Sequence, residues 1–265
     1  MAPATPAAPA TLRGFIEGGG ELGDTSDWPR ISPDCVTRRA PIPEPRRNIM
    51  CLGLNYADHA GEAQGTSAAE AKLPSAPVVF TKATTTVTGP DAVIPVDPRA
   101  TSRLDWEVEL ALVIGRGGRF IDAERAHEHV FGYTVINDLS ARDRQKQHQQ
   151  FFLGKSMDGS CPMGPGIVTA DAIADPHALA IRSWVNGTLK QNANTARMIF
   201  RIDAIIAELS SVMTLLAGDI IATGTPSGVG FARQPRELLE PGDRVTCAVA
   251  DIGQLSNPIA GPSAD

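Results

Sequence analysis

The chain has 265 residues, enough for one large domain or a domain with a small appendage. With 42% hydrophobic and 20% charged residues, 25 glycines and 21 prolines, it reads as a globular protein rich in turns and short strands. A net charge of −6 gives no electrostatic ground for binding nucleic acid or anionic membranes, and no apolar run approaches the roughly 20 residues of a membrane-spanning helix.

The four cysteines, Cys35, Cys51, Cys161 and Cys247, show neither Cys-x-x-Cys pairs nor zinc-site spacing. They are expected to be reduced, mostly buried thiols in a cytoplasmic protein. Met1 to Ala10 is built of proline and alanine and lacks a basic start and a leucine-rich stretch. It is expected to be a loosely attached arm and not a secretory signal. Leu12, Phe15 and Ile16 carry a short helical pattern. A polar stretch then runs to Ala40-Pro41-Ile42-Pro43-Glu44-Pro45, whose alternating prolines force extended backbone. The boundary is drawn there, with residues 1–47 an N-terminal arm and small appendage and 48–265 the main domain.

Asn48 to Gly53 is a buried-strand pattern. After Asn55 to Glu62, the Ala/Glu-rich segment from Thr66 to Lys72 is expected to form a surface-lying turn of helix. Pro77 to Lys82 and Ala92 to Pro95 read as short strands, and the apolar run to Ile114 as a longer one closed by Gly115. Asp122 is placed to cap a short helix through about His129, and Gly132 to Asp138 returns as a strand ending in acid. Trp184 to Leu189 contains an Asn-Gly turn and is a hairpin. Asn194 or Thr195 should open an amphipathic helix, with Met198, Ile199, Ile202, Ile205, Ile206 and Leu209 on one face. Gly218 to Gly224 and Gly242 to Cys247 are two turn-then-strand units. Many short strands and few helices predict a β-rich sandwich or barrel with added helices, not a doubly wound α/β fold. Gly154-Lys155-Ser156 lacks the earlier glycine of a phosphate-binding loop, position 149 being Gln149, and no Gly-x-Ser-x-Gly occurs.

The chemistry gathers around Asp105-Trp106-Glu107-Val108-Glu109-Leu110. Residues two apart on a strand share a face, so Glu107 and Glu109 hold two carboxylates close together. Such a pair is either a solvated polar edge or a site for a cation. Asp138, which alone could be a turn residue, would complete an all-oxygen set suited to Mg²⁺, Mn²⁺ or Ca²⁺. His59 and Glu62, three apart, share a helical face and can form an acid–base pair, or simply a solvated face. Lys155, beside apolar residues, could hold a substrate carboxylate or an oxyanion; its plain alternative is a surface lysine paired with Asp158. Thr223 to Gly230 could cradle an anion or be a tight turn.

Asn55-Tyr56 with His59 and Glu62, the Asp105 to Leu110 stretch, Asn137-Asp138-Leu139-Ser140-Ala141-Arg142-Asp143, Lys155-Ser156-Met157-Asp158, Cys161-Pro162-Met163-Gly164-Pro165, Val185-Asn186-Gly187 and Thr223-Gly224-Thr225-Pro226-Ser227-Gly228-Val229-Gly230 occur in one order and spacing. Together they resemble the fumarylacetoacetate hydrolase family, in its bacterial acylpyruvate hydrolase-like branch, from about Ile42 to Ile259. The resemblance implies a mixed β-sandwich roll, a homodimer, and Mg²⁺ or Mn²⁺ held by Glu107, Glu109 and Asp138. It implies that His59 and Glu62 form a dyad on a lid that activates water. It also places Lys155, Arg142, Gln145 and Thr225 against substrate oxygens. Ala83 stands where a proline is usual, and Met157 and Gly159-Ser160 replace an aromatic residue and Thr-Phe; these departures bear on substrate identity.

The implied reaction is metal-dependent hydrolysis of a C–C bond in a 2,4-diketo acid of the acylpyruvate type, through a metal-bound enolate, with Lys155 stabilising the charge that develops. The same site would serve decarboxylation of oxaloacetate-like acids or isomerisation of 2-hydroxy-dienedioates, both known in the family. A metal-stabilised dimer without turnover would need the dyad or Lys155 lost, and all are kept.

Overall fold

The computed structural model describes residues 10–21, 26, 30 and 32–262, so most of the expected N-terminal arm lies outside the described residues. The chain begins with α1 (Leu12–Glu17), β1 (Ile49–Gly53), α2 (Ala57–Gln64), β2 (Val78–Lys82), β3 (Val87–Thr88), β4 (Ile94–Pro95) and β5 (Leu104–Asp105). The middle holds β6 (Val108–Ile114), β7 (Val130–Asn137), β8 (Ser140–Ala141), α3 (Arg142–Gln147), α4 (Phe152–Lys155) and β9 (Cys161–Thr169). Then come β10 (Ala180–Val185), β11 (Thr188–Asn194), α5 (Ile202–Val212), β12 (Ile220–Ala222), β13 (Arg244–Val249) and β14 (Gly253–Ala260).

The strands form a seven-stranded sheet, ordered β2-β1-β12-β6-β7-β9-β3, and a five-stranded sheet, ordered β11-β10-β13-β14-β4, with β5 and β8 as a separate ribbon. β1 runs parallel to β12, and β6 pairs antiparallel with β12 and β7. Every residue of β6 is buried because both faces of its sheet are covered. Val108, Leu110, Leu112 and Ile114 enter a core shared with Ile181, Val245 and Leu255 of the smaller sheet. Ala111 and Val113 turn the other way, into a second core closed by Ile16, Ala40 and Ile42 of the N-terminal piece. Burying side chains of this size contributes roughly 1.5–3 kcal/mol each, so β6 is an anchor for whatever it carries. The architecture is a β-rich α+β fold, with curled mixed sheets forming a sandwich roll and few helices. No helix among the described residues is long and apolar enough to cross a membrane.

Local expectations differ from the structure at two helical segments. The helix expected from Asn194 or Thr195 begins at Ile202, and Asn194 instead caps a 3₁₀ turn over Thr195–Arg197. The reason is Asn55, whose backbone oxygen takes the Ile199 N–H and whose side-chain oxygen takes the Phe200 N–H. Those donors are unavailable for helical bonds. The surface turn of helix expected at 66–72 is a single turn closed by the Ala71 N–H on the Ser67 carbonyl at 3.0 Å, separated from α2 by the left-handed Gly65 cap at φ 70°. Between Asp122 and Val130 the helix is a 3₁₀ segment, and the Asp122 side chain makes no capping bond. The hairpin is present, with Asn186 at φ 50° and Gly187 at φ 78°, the positive values that a two-residue primed turn needs. Cys51, Cys161 and Cys247 are buried free thiols, while Cys35 is exposed.

Candidate metal centre and active site

The register of β6 against β7 builds the acidic cluster. Val108 pairs with Asn137, so Asp138, just beyond β7, meets Glu107, just before β6, and its N–H bonds the Glu107 carbonyl at 2.8 Å. Glu107 and Glu109 have the same strand parity as Ala111 and Val113, as expected from their spacing. Glu107, Glu109 and Asp138 are buried, and one oxygen from each lies within 4.8 Å of the others.

Three buried cations interleave with these acids. Lys155 Nζ donates to Glu107 Oε2 and Asp138 Oδ2, both at 2.7 Å, and not to Asp158. Lys82 Nζ donates to Asp138 Oδ1 at 2.7 Å. Arg142 Nε donates to Asp105 Oδ2 at 2.8 Å and Nη1 to Gln145 Oε1 at 2.9 Å. Its Nη2 lies 2.6 Å from Glu107 Oε1, an ion pair that falls outside hydrogen-bond geometry. Burial would raise the Glu107 carboxyl, but Lys155 and Arg142 outweigh it and hold the group at about 2. Burial opposes the charge on Lys155, and Asp138 and Glu107 more than restore it.

The proton-handling pair sits on α2. His59 Nδ1 is 3.1 Å from Glu62 Oε2, and Glu62 Oε1 accepts the Gly228 N–H at 2.9 Å. That contact ties α2 to the loop after β12. The same loop reaches the acids through Gly224, whose N–H bonds Glu109 Oε2 at 2.8 Å. Gly224 has φ +95°, and a Cβ there would meet Asn55 Cβ at 2.8 Å, so only glycine passes so close. The Thr225 hydroxyl donates to Val108 O at 2.9 Å and accepts from Gln191 Nε2 at 2.8 Å. Its proton is therefore engaged by the backbone, leaving an acceptor lone pair. His59, Glu107, Arg142, Gln145, Lys155 and Thr225 line one cavity of about 260 Å³; Glu62, Glu109 and Asp138 support it without lining it.

A family model described as fumarylacetoacetate (FAA) hydrolase C-terminal matches residues 48–260. The chain belongs to the fumarylacetoacetate hydrolase family. It is 50% identical over 224 residues, 84% of this chain and 73% of the relative, to the oxaloacetate tautomerase YisK of Bacillus subtilis (strain 168). It is 42% identical over 262 residues, 96% of this chain and 80% of the relative, to the mitochondrial oxaloacetate tautomerase fahd2 of Xenopus laevis. Among solved structures, the fumarylacetoacetate hydrolase of Exiguobacterium antarcticum superposes with a TM-score of 0.85 at 44% identity, covering 95% of this chain and 88% of that one. The 2-hydroxyhepta-2,4-diene-1,7-dioate isomerase of Mycobacterium marinum gives 0.72 at 38% identity, covering 85% and 78%.

As an enzyme of the fumarylacetoacetate hydrolase family, the chain carries an acidic triad that could bind a divalent metal, and Glu109 tests the fit. Its carboxylate is 1% exposed, and the one hydrogen bond it accepts among the described residues comes from Gly224. Burial raises its pKa well above the usual range, and Asp138 and Glu107 add to that by repulsion. Asp105, Glu107, Glu109 and Asp138 face Lys82, Arg142 and Lys155, four buried acids against three buried bases. An all-oxygen site that lacks positive charge suits a hard divalent ion. Lys82, Asp105 and Gln191 were not singled out as site residues beforehand. Asp105 stands two residues before Glu107, and Lys82 ends an apolar strand; those were the available signals.

Proposed function

We propose that the protein interconverts the keto and enol forms of a short 2-oxo acid of the oxaloacetate kind. The observation that carries this reading is His59, in contact with Glu62, facing the same cavity as Glu107, Arg142 and Lys155. The similarity to oxaloacetate tautomerases supports it. A divalent cation held by Glu107, Glu109 and Asp138 would supply Lewis acidity, which makes the C–H beside a ketone easier to ionise. Glu62 Oε2, 3.1 Å from His59 Nδ1, would select the tautomer with its proton on Nδ1, in which Nε2 is the base. Nε2 takes the proton from the carbon beside the ketone and returns it, directly or through water, to the oxygen; the reverse reaction retraces this path. Lys155 and Arg142 hold negative charge as it moves onto oxygen. Phe80 and Phe151, packed edge to face at 5.6 Å, help keep bulk water from the reacting carbon.

A second reading follows from the same dyad: His59 could activate water for hydrolysis of an acylpyruvate, and the apolar part of the cavity wall would take the acyl tail. Decarboxylation and diene isomerisation need the same activated carbon. A homodimer, which sedimentation would reveal, belongs to the same family reading. The decisive assay follows the ultraviolet absorbance of enol-oxaloacetate beside an acylpyruvate panel, with Mg²⁺ and Mn²⁺ in turn. The expected outcome is rapid loss of the enol signal, slowed roughly 100-fold or more in His59→Ala with Mg²⁺ affinity unchanged. Full activity in that variant would sink the mechanism, and acylpyruvate cleavage without tautomerisation would favour hydrolysis.

A further inference from the structure

We propose that Lys146, seated on the ring of Phe231, receives the second carboxylate of a dicarboxylic substrate and sets a preference for diacids over monoacids. The inference rests on the reading that the cavity takes 2-oxo acids. It adds the residue that selects among them.

Arg142 and Lys146 stand four apart on α3 and line the same cavity. That spacing puts them on one helix face, about 6 Å apart along the axis, which suits the two ends of a four- or five-carbon diacid. The inner end is a buried cation. Arg142 is 7% exposed and lines the cavity, with its Nη2 held 2.6 Å from Glu107 Oε1. At the outer end, Lys146 makes no ion pair among the described residues, and its Nζ lies 4.4 Å from the Phe231 ring centroid. Arg236 approaches the same ring at 4.6 Å, so two cations gather on one aromatic side chain.

Phe231 is not a loose support. Its N–H bonds Asp105 Oδ2 at 3.0 Å, and the Gly230 N–H bonds Asp105 Oδ1 at 2.7 Å. Asp105 also holds Arg142 Nε. One buried carboxylate therefore positions both the inner cation and the seat of the outer one. The wall near them includes Ala63, Phe151, Val229 and Ala232, which offer a charged tail no hydrogen bonds through their side chains. A substrate whose far end is a carboxylate finds Lys146 as its counter-charge; an apolar tail gains nothing from it. In a chain of net charge −6, cations at the mouth also counter the long-range repulsion of a dianion.

The test compares two inert 2-hydroxy acids of equal length, malate and 2-hydroxybutyrate, which differ only at the far end. Their dissociation constants are measured by calorimetry on the Mg²⁺-loaded protein, and oxaloacetate turnover is measured separately. Wild type should bind malate about tenfold more tightly than 2-hydroxybutyrate. Lys146→Gln should remove most of that ratio by weakening malate alone, and Lys146→Glu should invert it. Phe231→Leu, which unseats the lysine, should fall between. The ratio should also shrink as salt rises. Equal binding of the two acids by wild type, or an unchanged ratio in Lys146→Gln, would overturn the proposal. Wild type that keeps the ratio but leaves enol-oxaloacetate untouched would remove the tautomerase reading and leave the diacid site standing.

Discussion

Lys82 buries its whole ammonium group, donating to Asp138 Oδ1, Leu139 O and Ser160 Oγ at 2.7, 3.1 and 3.4 Å. All three of its protons are engaged, so it has none left for substrate. It balances Asp138 and directs its Oδ2 towards the cluster. Lys82→Met should therefore lower the stability of the metal-free protein by roughly 3–5 kcal/mol, the cost of orphaning one partner of a buried pair. Added Mg²⁺ should restore part of the loss, because the ion neutralises the acid that the lysine leaves behind. Thermal melts of both proteins with and without Mg²⁺ would show this, and an unchanged metal-free melt would refute it. The closeness of Glu107 to Glu109 and of His59 to Glu62 was legible because each pair lies within one short motif; Asp138 and Lys155 join the cluster from other parts of the chain. Lys82 meets Asp138 across 56 residues, through a strand order that no local spacing encodes. Asp105 was hidden differently: its partners are Arg142, at the start of α3, and Gly230 and Phe231, far along the chain after β12.

Among the elements, α5 shows how tertiary bonds move a helix end. Its apolar face is legible in the sequence, and Ile202, Ile205, Ile206 and Leu209 are all buried. Its start is not, because Asn55 competes for the backbone and the His177 ring supplies the cap. His177 Nε2 accepts the Ile202 N–H at 3.1 Å, which it can do only while unprotonated. Burial and the neighbouring Arg201 push its pKa below the ordinary value; Asp175 and Asp203 oppose them without winning. The folded state thus prefers the neutral ring more than the unfolded chain does. This contribution is present above the unfolded value of about 6.5 and is lost as pH falls through the lower folded value. Chemical denaturation between about pH 7.5 and pH 5 should show the decline, and His177→Gln should flatten that part of the profile. An identical slope in the variant would remove His177 as its cause.

At the scale of the whole molecule, the larger sheet is a middle layer with a core on each side. The alternating apolar runs made the strands and the fold class readable, but not the layering, since a buried strand looks the same wherever its sheet lies. We keep residues 1–47 as an appendage in our proposal, although Ile16, Ala40 and Ile42 help close the second core. Four buried acids against three buried bases predict that a bound divalent ion would stabilise the fold. Chelation should lower the melting temperature, and Mg²⁺ at a hundredfold excess over its Kd should add about 2.7 kcal/mol of stability. Glu107→Gln should abolish that increment together with activity; a melt indifferent to Mg²⁺ and Mn²⁺ would argue against the triad as the ligand set.

The parallel pairing of Met50 with Ile221 has a consequence for how the protein is made. The segment bearing His59 leaves the ribosome early, yet its neighbouring strand and the loop that grips Glu62 are translated some 170 residues later. During that interval the growing polypeptide holds its acids and lysines with no cavity to enclose them. The cavity wall at Phe231 and Ala232, and the strands β13 and β14 that complete the smaller sheet and its core, come later still. A message broken before those strands should yield a target for proteolysis rather than a feeble catalyst.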